Sequence, residues 1–179
     1  PMGHACTTML RTLVGFGVSI LENEECVRLS TILSHLSFPI GQSRTSTLST
    51  EQVIAIRELA HKKGFPSIAL AQAIQFEFTW RQNDVLGEWG PMSEKGNSEI
   101  LDGNDKWRKG VRWNEIDERM LVNHITSKRK KLSEPSIMNA PMVLEELQRT
   151  YGTTDRAKLP ASGPVIICEE TELPWRAHK

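Results

Sequence analysis

Net charge is the first thing this sequence lacks, because 22 lysines and arginines are balanced by 22 aspartates and glutamates. That balance argues against a protein that coats nucleic acid indiscriminately through bulk charge. No apolar stretch approaches the roughly 20 residues needed to cross a bilayer. The first residues lack the basic start, apolar run and small-residue cleavage site of a secretory signal. The chain opens on Pro1-Met2, as expected of a piece cut from something longer. Cysteine is scarce: Cys6, Cys26 and Cys168 are odd in number, scattered and without a CxxC pair. Reduced thiols in a cytoplasmic protein are expected, not a disulfide framework. The five histidines are dispersed, and no metal site is expected from them. No internal repeat or low-complexity tract interrupts the chain. With 39% hydrophobic and 25% charged residues, the composition is that of an ordinary soluble globular protein.

The length, 179 residues, suffices for one full domain and an appendage. Residues 4–22 and 24–37 are expected to form two short helices. In the second, Cys26, Leu29, Ile32, Leu33 and Leu36 recur at helical spacing as one apolar stripe. A run of breakers and small polar residues, Phe38 to Thr47, then reads as a linker. It divides a helical segment, residues 1–46, from a larger unit, 47–179. A helix starts sharply at Ser49, where Gln52 completes a capping box. Val53, Ile56, Leu59 and Ala60 supply its inner stripe, and Gly64 closes it. Pro66 opens the next helix, expected to run from Ser67 past Arg81. After Trp89 the text turns irregular and reads as a long loop to about Gly110. Met120 to Thr126 and Leu132 to Ile137 read as the two strands of a hairpin. A helix over Pro141–Thr150 and a short strand at Val165–Cys168 complete the expectation.

Charge is unevenly spread although its sum is zero. Between Asn104 and Leu132 nine lysines and arginines face four acids. Arg108, Lys109 and the run Lys128-Arg129-Lys130-Lys131 belong to this stretch. Such a run is usually a solvated face or a set of phosphate contacts. Arg81 carries the most information. On a helix from Ser67 it falls in the same sector as Leu70, Ile74, Phe78 and Val85. A guanidinium on an apolar face is costly unless paired. The pair would be Glu77 or Asp84, at helical spacings of four and three, or Arg81 reaches into a site that receives an anion. By periodicity alone the internal pair is the commoner outcome.

Several segments, in this order, resemble the tyrosine recombinases (phage-integrase family). Leu48-Ser49-Thr50-Glu51-Gln52 resembles the capped helix that opens that family's catalytic domain. Thr79-Trp80-Arg81-Gln82-Asn83-Asp84 is similar to its first arginine box, with Asp84 where many members have Glu. Val111-Arg112-Trp113-Asn114-Glu115-Ile116 resembles its hydrophobic–basic–Trp–x–acidic–Ile segment, and His124 to Lys128 its lysine hairpin. Gly163-Pro164-Val165-Ile166 and Glu172 to Arg176 resemble the approach to the second half of the site. The likeness covers residues 47–179, and the preceding helices resemble the end of the family's core-binding domain. It departs from the pattern between Trp89 and Val111, where about twenty residues stand in place of a few. The second arginine box and the nucleophilic tyrosine are expected beyond Lys179.

The resemblance implies an α+β fold, mainly helical, with a small antiparallel sheet holding the lysine hairpin. It implies double-stranded DNA as partner, a homo-oligomer on DNA in the full-length protein, and no ATP or metal cofactor. The chemistry it implies is attack of a tyrosine on a DNA phosphodiester, forming a 3′-phosphotyrosine and releasing a 5′-hydroxyl. Arg81 would hold the non-bridging oxygens, and Lys128 would protonate the departing oxygen. Asp84 would support Arg81. Arg108, Lys109, Arg129, Lys130 and Lys131 would contact DNA, and Lys130 or Lys131 replaces Lys128 if the hairpin register differs. Tyr151 precedes the expected second box and is an ordinary surface or packing residue. His124 is a ligand, a base or a structural strand histidine. Trp80, Trp107 and Trp113 are packing residues, with Trp107 also placed to touch DNA. The competing reading is a non-catalytic DNA-binding or helical interaction module.

Overall fold

The computed structural model describes residues 2–36 and 47–176, so the expected linker lies almost wholly outside the described residues. The chain divides into two compact units, residues 1–47 and 48–179. The first is a helical pair, α1 (Met2–Ser19) and α2 (Glu24–His35). Asn23 caps α2 by accepting from the Cys26 amide. The helices meet at Gly17, where an added Cβ would come within 2.3 Å of Cys26 Sγ. Arg11 donates to the carbonyls of Leu33 and Leu36, closing the far end of α2. The apolar stripe expected on α2 is present in sequence but uncovered, since Leu29, Ile32 and Leu36 are all exposed.

The second unit opens with α3 (Thr50–Lys62), and its capping box is formed as the sequence specifies. The inner face of α3 differs from the expected stripe. Leu59 is exposed, while Arg57 is buried between Val53 and Ala60. Arg57 Nε donates to Glu146 Oε1 at 2.7 Å, and His61 Nε2 lies 2.6 Å from Glu146 Oε2. A partner from a distant helix therefore decides which side of α3 faces in.

Helix α4 (Pro66–Phe78) starts on Pro66, and its first turn is held by Glu169, which accepts from both the amide and hydroxyl of Ser67. It ends earlier than the periodicity implies. Thr79 adopts a left-handed conformation, and a separate turn, α5 (Gln82–Val85), begins after Arg81. Arg81 is thus the residue preceding a new helical turn, not a rung on the apolar face of α4. Leu70, Ile74 and Val85 are buried as expected.

The expected loop after Trp89 is instead a three-stranded antiparallel sheet. Strands β1 (Glu88–Pro91), β2 (Leu101–Asp102) and β3 (Asp105–Arg108) lie in the order β1-β3-β2. Its anchor is Trp107, 1% exposed, whose indole donates to the Leu86 carbonyl. Gly87, at φ +76°, leaves room for that ring, since a Cβ there would meet it at 2.3 Å. Lys106 is buried too, its ammonium donating to the carbonyls of Met92, Glu94 and Gly96. A buried ammonium with three acceptors holds the β1–β2 connection closed.

The lysine hairpin is formed by β4 (His124–Ile125) and β5 (Leu132–Ser133), paired in antiparallel register His124↔Ser133 and Ile125↔Leu132. Helix α6 (Pro141–Tyr151) follows, with Glu77 of α4 accepting from the amides of Met142 and Val143 at its start. The segment expected as a last strand, Val165–Cys168, forms none; one isolated bridge, Arg112↔Pro164, lies just before it. The core gathers α4, α5, α6 and the segments around Trp113, Val122 and Ile166. The fold is α+β with small antiparallel sheets, and no described helix is long and apolar enough to cross a membrane.

Candidate functional site

The arginine segment and the lysine hairpin, 43 residues apart, are joined through one carboxylate. Asp84 Oδ1 accepts the Ser127 backbone N–H at 2.6 Å, and Ser127 directly precedes Lys128. Asp84 is buried. Burial pushes its carboxyl upward, but the backbone and side chain of Ser127, with the charge of His124, hold it below its ordinary value. An anion is therefore kept at the root of the hairpin.

Arg81 is exposed. Neither expected partner is available to it, because Glu77 caps α6 and Asp84 holds Ser127. The internal ion pair weighed from sequence is thus not formed. Among the described residues the guanidinium has no ion-pair partner, and it lies three residues from the carboxylate that accepts from Ser127. Asp84 consequently supports the hairpin rather than the Arg81 side chain.

At the tip, Thr126 N donates to Lys131 O at 3.0 Å, and Lys130 N donates to Thr126 O at 3.0 Å. Lys130 takes a positive φ of 52° to complete the turn without glycine or asparagine. Lys128, Arg129, Lys130 and Lys131 are all exposed. Four cations project from four consecutive positions of one tight turn.

The other expected DNA contacts differ. Arg108 is bound to Glu88, Glu94 and the carbonyl of Lys95, and Lys109 Nζ lies 2.6 Å from Glu88. Arg112 is likewise engaged by Glu99 and rests on the Trp107 ring, 4.9 Å from its centroid. The acids of the 88–99 segment neutralise this part of the basic stretch, and sequence reading missed them because they lie outside it. Trp107 faces the interior and is a packing residue, as are Trp80 and Trp113.

Beneath the hairpin lies a small polar network that the sequence did not single out as a unit. Trp80 Nε1 donates to Ser133 Oγ at 3.1 Å, and His124 packs on the Trp80 ring. His124 Nδ1 lies 3.1 Å from Glu115 Oε2. The motif residues Trp80, Asp84, Glu115 and His124 therefore meet at one place. Tyr151 is elsewhere in character. It sets its ring edge-on against Trp113 at 5.4 Å, and burial, with the charge of Glu169, pushes its hydroxyl pKa up. Tyr151 is thus a surface residue packed on Trp113, with a poorly ionising phenol. Among the described residues no group of acids, histidines and cysteines is arranged to hold a metal ion.

No protein-family model, curated protein or solved structure matches the chain.

Proposed function

We propose that the chain is part of a tyrosine recombinase catalytic domain, serving site-specific DNA recombination and integration through a 3′-phosphotyrosine. The observation that supports this is the Asp84–Ser127 bond, which ties a free arginine to a free lysine turn. In that role Arg81 grips the non-bridging phosphate oxygens, where charge builds in the five-coordinate transition state. Lys128 gives its proton to the departing 5′-oxygen. The attacking hydroxyl comes from a tyrosine other than Tyr151, and as the P–O bond to DNA breaks the phosphotyrosine forms, without ATP. Arg129, Lys130 and Lys131 contact phosphates of double-stranded DNA.

A second reading is a DNA-binding module without chemistry of its own, which the packed Tyr151 and the exposed cationic turn both suit. Two measurements separate them. In the full-length protein, Arg81→Ala abolishes covalent DNA trapping while leaving the fold intact. Unchanged trapping removes Arg81 from the site, and absence of trapping by the unaltered full-length protein leaves the binding module.

A further inference from the structure

His124 stands between two carboxylates, yet among the described residues only one of its ring nitrogens has a hydrogen-bond partner. The residue is 3% exposed, and its ring lies on Trp80 with centroids 4.8 Å apart. Nδ1 lies 3.2 and 3.1 Å from the two oxygens of Glu115. A carboxylate only accepts, so Nδ1 carries the hydrogen. In a neutral ring Nε2 is then a bare acceptor. It faces Asp84 Oδ1, another acceptor, across 3.8 Å, and among the described residues it makes no hydrogen bond. Two facing acceptors account for a separation too long for such a bond. One proton removes the mismatch. Placed on Nε2, it makes the ring a double donor drawn to Asp84 by charge and hydrogen bonding together.

The oxygen concerned is the one that already accepts Ser127 N. Whatever draws Oδ1 toward β4 therefore acts on the root of the turn carrying Lys128 to Lys131. The neighbouring groups are occupied: Arg112 reaches Glu99 and the Trp107 ring, and Ser133 accepts from Trp80. Asp84 accepts from Ser127, which favours its ionised form in either state of the ring.

We propose that His124 is a proton-operated positioning residue, which when protonated bridges Glu115 and Asp84 and fixes the lysine hairpin against the Arg81 segment. When neutral it leaves that root looser. The inference deepens the recombinase reading and rests on it for its meaning at DNA, since it makes the grip on phosphate pH-dependent. The switch itself needs no DNA.

The test follows the ring nitrogens of His124 and the amide of Ser127 by NMR, in the chain without DNA, between about pH 5 and pH 8. The Ser127 amide shifts with the same midpoint as the ring, and its exchange protection is about tenfold greater in the acid form. In His124→Gln that shift is lost. A Ser127 amide that stays flat while the ring titrates overturns the proposal, as does a ring that keeps one protonation state throughout. If His124→Gln does not fold, the unaltered chain alone decides by the same criterion. A second arm measures retention of a double-stranded DNA oligonucleotide at the two ends of the range. A working switch without DNA retention removes the recombinase reading and keeps the switch. Salt-sensitive DNA retention with a flat Ser127 amide removes the switch alone.

Discussion

The carboxylate of Asp84 and the backbone amide of Ser127, 2.6 Å apart, form the bond by which a helical turn and a distant hairpin become one site. Charge-assisted bonds to a buried carboxylate are about twice as strong as neutral ones. The bond spans the stretch that holds the three-stranded sheet. That sheet is anchored by Trp107, stapled by Lys106 and tied by Arg176 to Asp102 and Asp105.

Asp84→Ala removes the acceptor from a partly buried amide. Stability is expected to fall by about 1.5–3 kcal/mol, read from the urea midpoint, and residues 127–131 become more mobile in 15N relaxation. Unchanged mobility in the variant would mean that β4 and β5 hold the turn by themselves.

The same carboxylate sets an acid limit. Its folded-state pKa is depressed by the Ser127 bonds and the His124 charge, which outweigh burial. Its contribution is therefore present above the unfolded value of about 3.9 and is lost as pH falls through the lower folded value. Urea unfolding from neutral pH to below that range is expected to show a steeper loss in the unaltered chain than in Asp84→Ala. Parallel curves would assign the acid sensitivity to other carboxylates.

Arg57 and Glu146 give a contrasting case, since both are buried and belong to different helices. Arg57→Ala leaves Glu146 with too little compensation and is expected to cost about 3–5 kcal/mol. The double replacement Arg57→Met with Glu146→Leu is expected to recover most of that loss. If the double variant is no more stable than Arg57→Ala, the pair contributes more than mutual neutralisation.

The basic stretch is divided by its partners, and the division predicts salt dependence. Replacing Lys128, Arg129, Lys130 and Lys131 with Gln is expected to lower the slope of log K against log salt by about 3 to 4. Arg108→Gln with Lys109→Gln leaves that slope unchanged, because Glu88 and Glu94 already neutralise those cations. A drop in slope for the second variant would show that DNA displaces the acids.

Trp107→Ala empties the anchor of the three-stranded sheet and is expected to cost about 3–5 kcal/mol. Loss of amide protection concentrated in residues 88–108, with the Asp84–Ser127 bond retained, would mark the sheet as an independent unit. Loss spread evenly over the second unit would mean that the sheet supports the core.

Local rules carried much of the architecture. Ser49 and Gln52 form their capping box because both partners lie within one turn, and Pro66 opens α4 because its missing N–H costs nothing there. The helix over Pro141–Tyr151 and the lysine hairpin follow from periodicity in the same way. The meeting of the Asp84 turn with the hairpin was approachable only through the order of short motifs, since no local pattern links residues 84 and 127.

What the sequence alone determined was which segments are helical, where the chain divides, and that four cations share one turn. Tertiary structure decided the rest. Thr79 ended α4 early, so Arg81 left the apolar face and remained free. Glu88, Glu94 and Glu99 silenced cations that looked available, and Glu146 turned Arg57 inward in place of Leu59. The physical reason is shared by all of them. Periodicity fixes which residues lie on one side of an element, but the fate of a charge depends on the partner that folding brings within hydrogen-bond reach.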